Sequence, residues 1–414
     1  MIVGLELLEM DFTRKLSFLV FLLCVLISLK NQNAETKKGS QAVSWSPYDA
    51  PSIFADPSPS WPMFLSTKLE KKVEEPDNLG SLRYDYYNES CPQAEQIIRT
   101  TVQELYKLRP NVSAALLRLV FHDCFVEGCD ASVLLDAVNG IDSEKDSPPN
   151  ESLKGFDLID IIKLELEEAC PGVVSCADIV VLAARESVVL AGGPFYPLHT
   201  GRRDSTVSFS EVAAYELPSP QDDLYKTIAS FASRGFNGRE TVALLGAHST
   251  GMIHCKFFLN RLYNFAGTDE PDPSMDTEFL ALLRSRCNNS HASSSPSSSP
   301  SSSSSPSLSP SPSSVIDSFS PSSLPLETGM KMDYEGPGLG FGTLYYQSLL
   351  QGRGILYVDQ QLTAGEETEN WVRAYASDVS LFRRDFALAM MKLSNLQVLT
   401  EPRGQVRLNC RLVI

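Results

Sequence analysis

Histidine is the side chain best suited to acid–base chemistry near neutral pH, and the 414-residue chain contains only five of them. Arg118 and His122 stand four residues apart in the apolar stretch 112–123, so both side chains are expected on one face of a helix. The guanidinium disfavours the charged imidazole and leaves His122 available as a base. The competing interpretation is a structural histidine that is hydrogen-bonded in the core.

His248 is the second candidate, because small residues surround it in the segment 244–251, LLGAHSTG. Small side chains let a flat macrocycle approach the backbone closely, and a neutral imidazole with an apolar flank suits an axial haem ligand. We expect His254 on the same helix, where it is the alternative ligand. His199 and His291 are weaker candidates, since one lies in a loop and the other in a serine-rich tract.

A loop rich in oxygen atoms follows His122 directly. Asp123, Asp130 and Ser132 supply two carboxylates and a hydroxyl in a short span, and Gly128 allows a tight turn. Hard cations such as calcium prefer oxygen ligands of this kind. The spacing is not that of an EF-hand, and a solvated acidic turn closed by a disulfide is the alternative interpretation.

Helices must position these side chains, because apolar residues recur at three- and four-residue steps along much of the chain. The segments with this pattern are 93–108, 112–123, 155–169, 175–191, 238–264, 341–351 and 369–395. Ser175 stands where its side chain can cap the fourth segment. Long alternating patterns are absent, and the sequence therefore predicts a mainly α-helical domain.

The charge and the N-terminal residues narrow the range of functions. A net charge of −16 and a sequence pI near 4.8 argue against binding to nucleic acid.

The apolar run 16–29 follows Arg14 and Lys15, is too short to span a bilayer and predicts a signal peptide over 1–34. A signal anchor is the alternative, and Met10 is an alternative start. We expect a secreted protein with no membrane span in its mature form.

Two polar segments interrupt the helical pattern. Residues 35–80 are polar and proline-rich and are interpreted as a poorly ordered N-terminal extension. Residues 290–325 form a Ser/Pro tract that cannot build a core. Because cysteines lie on both sides of this tract, we interpret it as an insertion in one domain, 81–414, and less readily as a linker between two domains.

The cysteines are typical of a secreted disulfide framework. Of nine cysteines, Cys24 lies in the signal peptide, and an even number remains after its removal. Eight cysteines allow about 105 pairings, among which spacing alone does not choose. A zinc site is disfavoured, because no paired C-x-x-C units occur.

The segment 118–132, RLVFHDCFVEGCDAS, closely resembles the distal signature of the class III plant peroxidases, and 245–251, LGAHSTG, resembles their proximal haem signature. The resemblance extends from about 82 to 414 apart from the Ser/Pro tract, and the joint order of its motifs makes it highly specific. It implies the plant-type haem peroxidase fold, with haem b between distal and proximal helices. Further similar segments occur at 87–92, 174–178, 201–205, 358–360 and 406–410.

The resemblance assigns roles on the distal side of the haem. His122 would be the base that moves a proton between the two oxygens of hydrogen peroxide, and Arg118 would stabilise the charge that develops as their bond breaks. Asn150, itself held by Glu144, would hydrogen-bond His122 and fix its tautomer. Asn150 also begins a glycosylation sequon, but a buried asparagine could not carry a glycan. Better sequon candidates are Asn88, Asn111 and Asn288.

On the proximal side the resemblance makes His248 the fifth iron ligand. Asp359 would accept the other ring N–H of His248, which raises the basicity of the imidazole. Pro218 would offer its carbonyl oxygen at the edge where aromatic substrates bind. The implied substrates are hydrogen peroxide and small phenolic donors.

The resemblance also implies calcium sites and a disulfide pairing. The proximal calcium set retains Ser249 and Asp333, but Gly336 and Gly342 stand where the family usually has threonine and aspartate, so we expect one tightly held calcium ion. The distal calcium ligands would be Asp123, Val126, Gly128, Asp130 and Ser132. The implied bridges are Cys91–Cys170, Cys124–Cys129, Cys176–Cys410 and Cys255–Cys287.

The favoured function is a monomeric secreted peroxidase of the extracellular space or cell wall. It would oxidise small phenols, as in lignin or suberin formation, and remove peroxide under oxidative stress. A wall-associated structural or binding protein with little turnover is the first alternative, supported by the Ser/Pro tract and the altered proximal loop. A haem carrier without peroxide chemistry is the second, and Arg118 next to His122 argues against it.

Overall fold

Helices form most of the chain that the structure describes. The structure is a computed structural model and describes residues 82–109, 111–138, 142–287, 329–332 and 341–413. The predicted signal peptide, N-terminal extension and Ser/Pro insertion lie outside these residues. None of the helices within the described ranges has the length and apolarity that crossing a membrane would require.

The α-helices of the described ranges lie largely in the segments where the periodicity predicts helices. In chain order they are α1 (Ala94–Leu108), α2 (Val112–Cys124), α3 (Phe156–Ala169), α4 (Cys176–Leu190), α5 (Ser210–Glu216), α6 (Leu224–Ala232), α7 (Gly238–Leu245), α8 (Leu259–Tyr263), α9 (Thr277–Cys287), α10 (Leu344–Leu350), α11 (Tyr357–Gln360), α12 (Glu366–Ser377) and α13 (Val379–Leu393).

Strands contribute little to the described part of the chain. β1 (Met252–His254) and β2 (Gly329–Lys331) pair antiparallel, with Ile253 opposite Met330. Single-turn 3-10 helices fill several connections, and four of them carry candidate site residues. These four are Ser132–Leu134, Glu144–Asp146, Pro148–Asn150 and Gly246–Ser249. The predicted mainly α-helical class is confirmed.

The helix α4 is the centre around which the N-terminal helices pack. Residues 176–188 are all buried, and α1, α2 and α3 each pack against this helix. Burial of each large aliphatic side chain contributes about 1.5–3 kcal/mol, so this contact fixes the position of α2. Ser175 caps α4, since its hydroxyl accepts a hydrogen bond of 3.2 Å from the Asp178 amide. The predicted cap is thus present.

The C-terminal helices form the other side of the domain. The helix α7 packs against α12 and α13, and α10 packs against α12. Buried aromatic rings fill the space between them, with Tyr346, Tyr375 and Phe382 all fully buried. The centroids of Tyr346 and Phe382 are 5.0 Å apart and the rings meet edge to face, a favourable aromatic geometry.

The prediction of one helix over 238–264 is wrong. The helix α7 gives way to a 3-10 turn, Gly246–Ser249, and the chain is extended again in β1. Thr250 is extended, with φ of −135° and ψ of 156°, and Gly251 then has φ of +100°, a left-handed conformation in which a right-handed helix does not continue. His248 therefore lies in the 3-10 turn and His254 in β1, so the two histidines do not share a helix.

The helical pattern over 369–395 belongs to two helices. The helix α12 ends at Ser377, and Asp378 is extended with φ of −132° and ψ of 99°. The Asp378 carboxylate then caps α13 by accepting hydrogen bonds from the amides of Ser380 and Leu381, at 2.9 and 3.0 Å. A local cap thus competes with helix continuation, which periodicity alone does not detect.

Four disulfide bonds cross-link the domain. They are the bridges that the family resemblance implied, and the Cα atoms of each pair lie 4.0 to 5.8 Å apart. The longest closes a loop of 234 residues and ties the start of α4 to the C-terminal segment. In order, the pairs are Cys91–Cys170, Cys124–Cys129, Cys176–Cys410 and Cys255–Cys287.

Candidate active site

The helix α2 brings Arg118 and His122 into direct contact, as their spacing predicts. Arg118 Nε donates a hydrogen bond of 3.1 Å to His122 Nε2. The opposite face of α2 is apolar, and Leu116 and Val120 are buried there. This packing fixes the rotation of the helix, so the pair cannot turn away from the site that it lines.

A relay on the far side of the ring settles the tautomer of His122. Asn150 Nδ2 donates a hydrogen bond of 2.8 Å to the backbone carbonyl of Glu144, which leaves Asn150 Oδ1 facing His122 Nδ1 at 2.5 Å. Since that oxygen only accepts, Nδ1 carries the proton and Nε2 keeps its lone pair. Asn150 is 2% exposed. The contact between Asn150 and Glu144 uses the backbone of Glu144, whereas its carboxylate points elsewhere.

Two further contacts, which no sequence pattern predicts, anchor the Arg118 guanidinium. Its Nη1 donates to Ser152 Oγ at 3.1 Å, and its Nη2 donates to the carbonyl of Pro149 at 3.0 Å. Burial lowers the pKa of Arg118 to about 10, so the side chain remains charged at neutral pH. The loop that supplies Asn150 thus also holds the neighbouring cation in place.

His122 is strongly disposed to be neutral. Burial lowers its pKa first, the Arg118 charge lowers it further, and the bond to Asn150 opposes both, leaving a value of about 3. A neutral imidazole with a free Nε2 lone pair can take a proton from a bound acid. The pair therefore has the chemistry of a general base beside a fixed positive charge.

Asp359 hydrogen-bonds one of the two ring nitrogens of His248. Its Nδ1 lies 2.8 Å from Asp359 Oδ1 on α11, and Asp359 is 1% exposed while the His248 side chain is 36% exposed. Burial lowers the pKa of His248, but the Asp359 charge and hydrogen bond outweigh it, so the pKa stands above its usual value. Because Nδ1 is committed to the carboxylate, Nε2 is the nitrogen available to a metal.

The side chains available for iron fit a haem group. Nδ1 of His248 is committed to Asp359, so Nε2 is left for the iron. Gly246, in the same turn, faces the protein core, since a Cβ there would lie 2.5 Å from the ring of Phe382 and closer still to the Tyr346 hydroxyl. A carboxylate-backed imidazole, together with a neutral histidine and an arginine, is a donor set suited to haem iron.

The loop after α2 turns sharply at three residues. Glu127, Gly128 and Ala131 all have positive φ, of +58°, +109° and +60°. Only glycine fits at 128, because a Cβ there would lie 2.7 Å from the carbonyl oxygen of Gln397. The Cys124–Cys129 disulfide closes the same loop.

Buried oxygen atoms in this loop and at Glu144 fit a hard cation. Asp123 Oδ1, Ser132 Oγ and Glu144 Oε2 are buried and have no hydrogen-bond partner among the described residues. Unpartnered buried oxygens are costly unless an ion or a water satisfies them. Burial, with the charges of Asp130 and Glu144, raises the pKa of Asp123 well above its usual range. A bound cation would reverse that effect.

The remaining predicted site residues are only partly described. The Ser249 hydroxyl is buried without a hydrogen-bond partner in the described structure, but Asp333, Gly336 and the rest of the proximal loop before Phe341 lie outside the described residues. Pro218 is half-buried in the connection between α5 and α6. The carbonyl of Pro220 accepts a hydrogen bond of 3.1 Å from the Val358 amide, which ties this connection to α11.

The chain matches known proteins over most of its length. The family model described as "Peroxidase" covers residues 98–378. "Putative Peroxidase 48" of Arabidopsis thaliana is 52% identical over 337 residues, which span 80% of this chain and 82% of the relative. "Peroxidase 57" and "Peroxidase 28" of the same species are 41% and 39% identical, and each alignment spans 81% of this chain and 94% of the relative.

The helical fold and this similarity together define a plant-type haem peroxidase. Within that class, the chain belongs to the class III plant peroxidases, and the predicted family and enzyme activity are confirmed.

Proposed function

We propose that this peroxidase holds haem b through His248 and reduces hydrogen peroxide with His122 as the general base and Arg118 as the stabilising cation. The observation that carries the proposal is the presence in one domain of the His122–Asn150–Glu144 relay and the His248–Asp359 pair. Haem b supplies the iron and the electrons for peroxide reduction.

The tautomer of His122 sets the path of the proton. Its Nε2 accepts a proton from one oxygen of bound peroxide and returns it to the other, which then leaves as water. Asn150 keeps the ring in the required orientation during both transfers. Because Arg118 Nε donates to the same Nε2 lone pair, peroxide must displace that bond, after which the guanidinium donates to the developing negative charge.

The electron donors that we propose are small phenols, with Pro218 at their binding edge. The connection between α5 and α6 is tied to α11 through the Pro220 carbonyl, so a donor bound there would lie close to the helix that carries Asp359. We propose a monomer that is secreted to the extracellular space or cell wall, with a signal peptide over 1–34, an extension over 35–80 and an insertion over 290–325. The exposed Asn88 and Asn111 remain available for glycosylation, whereas Asn150 is buried.

An absorbance spectrum of the purified protein combined with guaiacol turnover tests this function. We expect a haem band and peroxide-dependent guaiacol oxidation. Haem binding without turnover would support a carrier or a low-activity wall protein, and the absence of haem binding would support a structural protein that keeps the fold.

The distal loop is proposed to bind one calcium ion whose affinity rises with pH. Without a cation, burial raises the pKa of Asp130 to about 6 and that of Glu144 to about 7. Calcium must therefore displace protons, and its affinity is expected to increase as the pH rises through about 6–7. Metal analysis after dialysis against calcium-free buffer, and calcium titration at several pH values, measure both effects. Two retained ions, or an affinity that does not change with pH, would contradict this proposal.

The rate of peroxide reduction is expected to be level from about pH 8 to about pH 4 and to fall as His122 is protonated. The pKa of His122 is about 3, below its usual 6.5, so the base form persists in mild acid. Between about pH 3 and pH 6.5, the His122 side chain binds more protons in the unfolded state than in the folded state. The free energy of unfolding therefore falls as the pH decreases through that window. Peroxide consumption is measured across the pH range with excess calcium. A loss of half the rate between about pH 6 and 7 would exclude such a depressed pKa.

A further inference from the structure

Tyr345 makes a contact with the proximal pair that the proposed chemistry does not use. Its phenol donates a hydrogen bond of 2.8 Å to Asp359 Oδ1. His248 Nδ1 lies at the same distance, 2.8 Å, from that same oxygen. Two donors, one phenol and one imidazole, thus share a single carboxylate oxygen that is almost completely buried.

Sharing that oxygen affects the imidazole directly. A carboxylate oxygen has two lone pairs, so it can accept both hydrogen bonds. Both donors hydrogen-bond the same negatively charged oxygen. The hydrogen bond from the phenol makes that oxygen a weaker acceptor for the His248 N–H. The basicity of a ligating histidine depends on how strongly its second nitrogen is hydrogen-bonded. A phenol at this oxygen therefore weakens the effect of Asp359 on His248.

The position of Tyr345 is fixed by its surroundings. The residue is 8% exposed, and its ring meets that of Tyr346 edge to face with centroids 4.9 Å apart. The Tyr346 hydroxyl donates to the carbonyl of Val242 on α7 at 3.0 Å, not to Asp359. The two adjacent tyrosines of α10 are thus both buried and both hydrogen-bonded, but only one touches the proximal carboxylate.

We propose that Tyr345 is a positioning residue that sets the strength of the His248–Asp359 hydrogen bond, and through it the electron donation of His248 to the iron. This inference rests on the proposed role of His248 as the iron ligand. The opposing interpretation is that the Tyr345 hydroxyl merely satisfies its own burial, in which case the state of His248 does not depend on it.

Tyr345→Phe removes the hydroxyl and keeps the ring, and Tyr346→Phe is the matched control on the same helix. In the haem-free protein, the His248 Nδ1 proton is followed by NMR with labelled histidine, which is practical because the chain has five histidines. In the haem-bound protein, the iron–histidine stretching frequency and the reduction potential are measured. These readouts report the hydrogen bond and the ligand, not turnover.

Tyr345→Phe is expected to shift the Nδ1 proton downfield, to raise the iron–histidine stretching frequency and to lower the reduction potential. Tyr346→Phe is expected to leave all three near the wild-type values. Site-specific replacement of Tyr345 by 3,5-difluorotyrosine, a stronger donor of similar size, is expected to shift them in the opposite directions. This replacement keeps the ring and the hydroxyl, and it tests the inference even where Tyr345→Phe folds poorly.

Equal shifts in the two phenylalanine variants, or no shift in the fluorinated protein, would overturn the role of Tyr345. A wild-type protein with no iron–histidine band would overturn the inference together with the proposed ligand. The haem-free NMR signal distinguishes the two failures. If the fluorinated protein moves the Nδ1 proton while the iron band is absent in every form, the ligand assignment is the part that fails.

Discussion

His122→Ala is expected to slow peroxide reduction by about 10²–10⁴ while haem remains bound, because a positioned acid–base group contributes about this much. The variant removes the only nitrogen in the relay that can accept a proton, and Asn150 and Arg118 cannot replace it. Stopped-flow measurement of peroxide consumption, with haem content determined by absorbance, gives the rate per bound haem.

His199→Ala is the matched control for this experiment. His199 stacks on Tyr84 with ring centroids 3.9 Å apart and makes no contact with the distal relay among the described residues. We expect its peroxide rate to equal that of the wild type. An unchanged rate in His122→Ala would remove His122 from the mechanism.

His248→Ala is expected to bind haem poorly, or to bind it without the spectrum of a five-coordinate peroxidase. The substitution removes the imidazole and leaves the Asp359 carboxylate buried with one donor fewer, which adds a cost in stability. Haem titration of the purified variant, followed by absorbance, measures both affinity and coordination.

His254→Ala serves as the comparison, since His254 was the alternative ligand in the sequence. The structure places it in β1 and not in the turn that carries His248. We expect this variant to bind haem with a normal spectrum. If His248→Ala keeps a five-coordinate high-spin spectrum and His254→Ala loses it, the ligand assignment must be exchanged.

The parts of the site that could be predicted from the sequence are those whose residues lie close together along the chain. Arg118 and His122 are one helical turn apart, so their contact follows from helix geometry alone. The oxygen-rich loop was visible for the same reason, because its carboxylates and hydroxyl are close in sequence. The pairing of His248 with Asp359 joins residues 111 positions apart and came from family resemblance.

The contacts that sequence reasoning missed depend on tertiary packing. Ser152 holds Arg118 across 34 positions, and nothing in its neighbourhood indicates that its hydroxyl would face a guanidinium. In the sequence, Tyr345 has the pattern of an ordinary core aromatic residue. Its hydrogen bond to Asp359 depends on the position of α10 relative to α11. The false helix over 238–264 has a local cause, and Gly251 was the residue that could have corrected it.

The central claim is that His122 and Arg118 act on peroxide at a haem held by His248. Its most direct test is the second-order rate constant for peroxide consumption by the haem-bound wild-type protein, compared with that of free haem under the same conditions. We expect the protein to react faster by at least about 10²–10⁴, the contribution of a positioned acid–base group. A rate equal to that of free haem would show that His122 and Arg118 do not act on peroxide, and would contradict the proposed site.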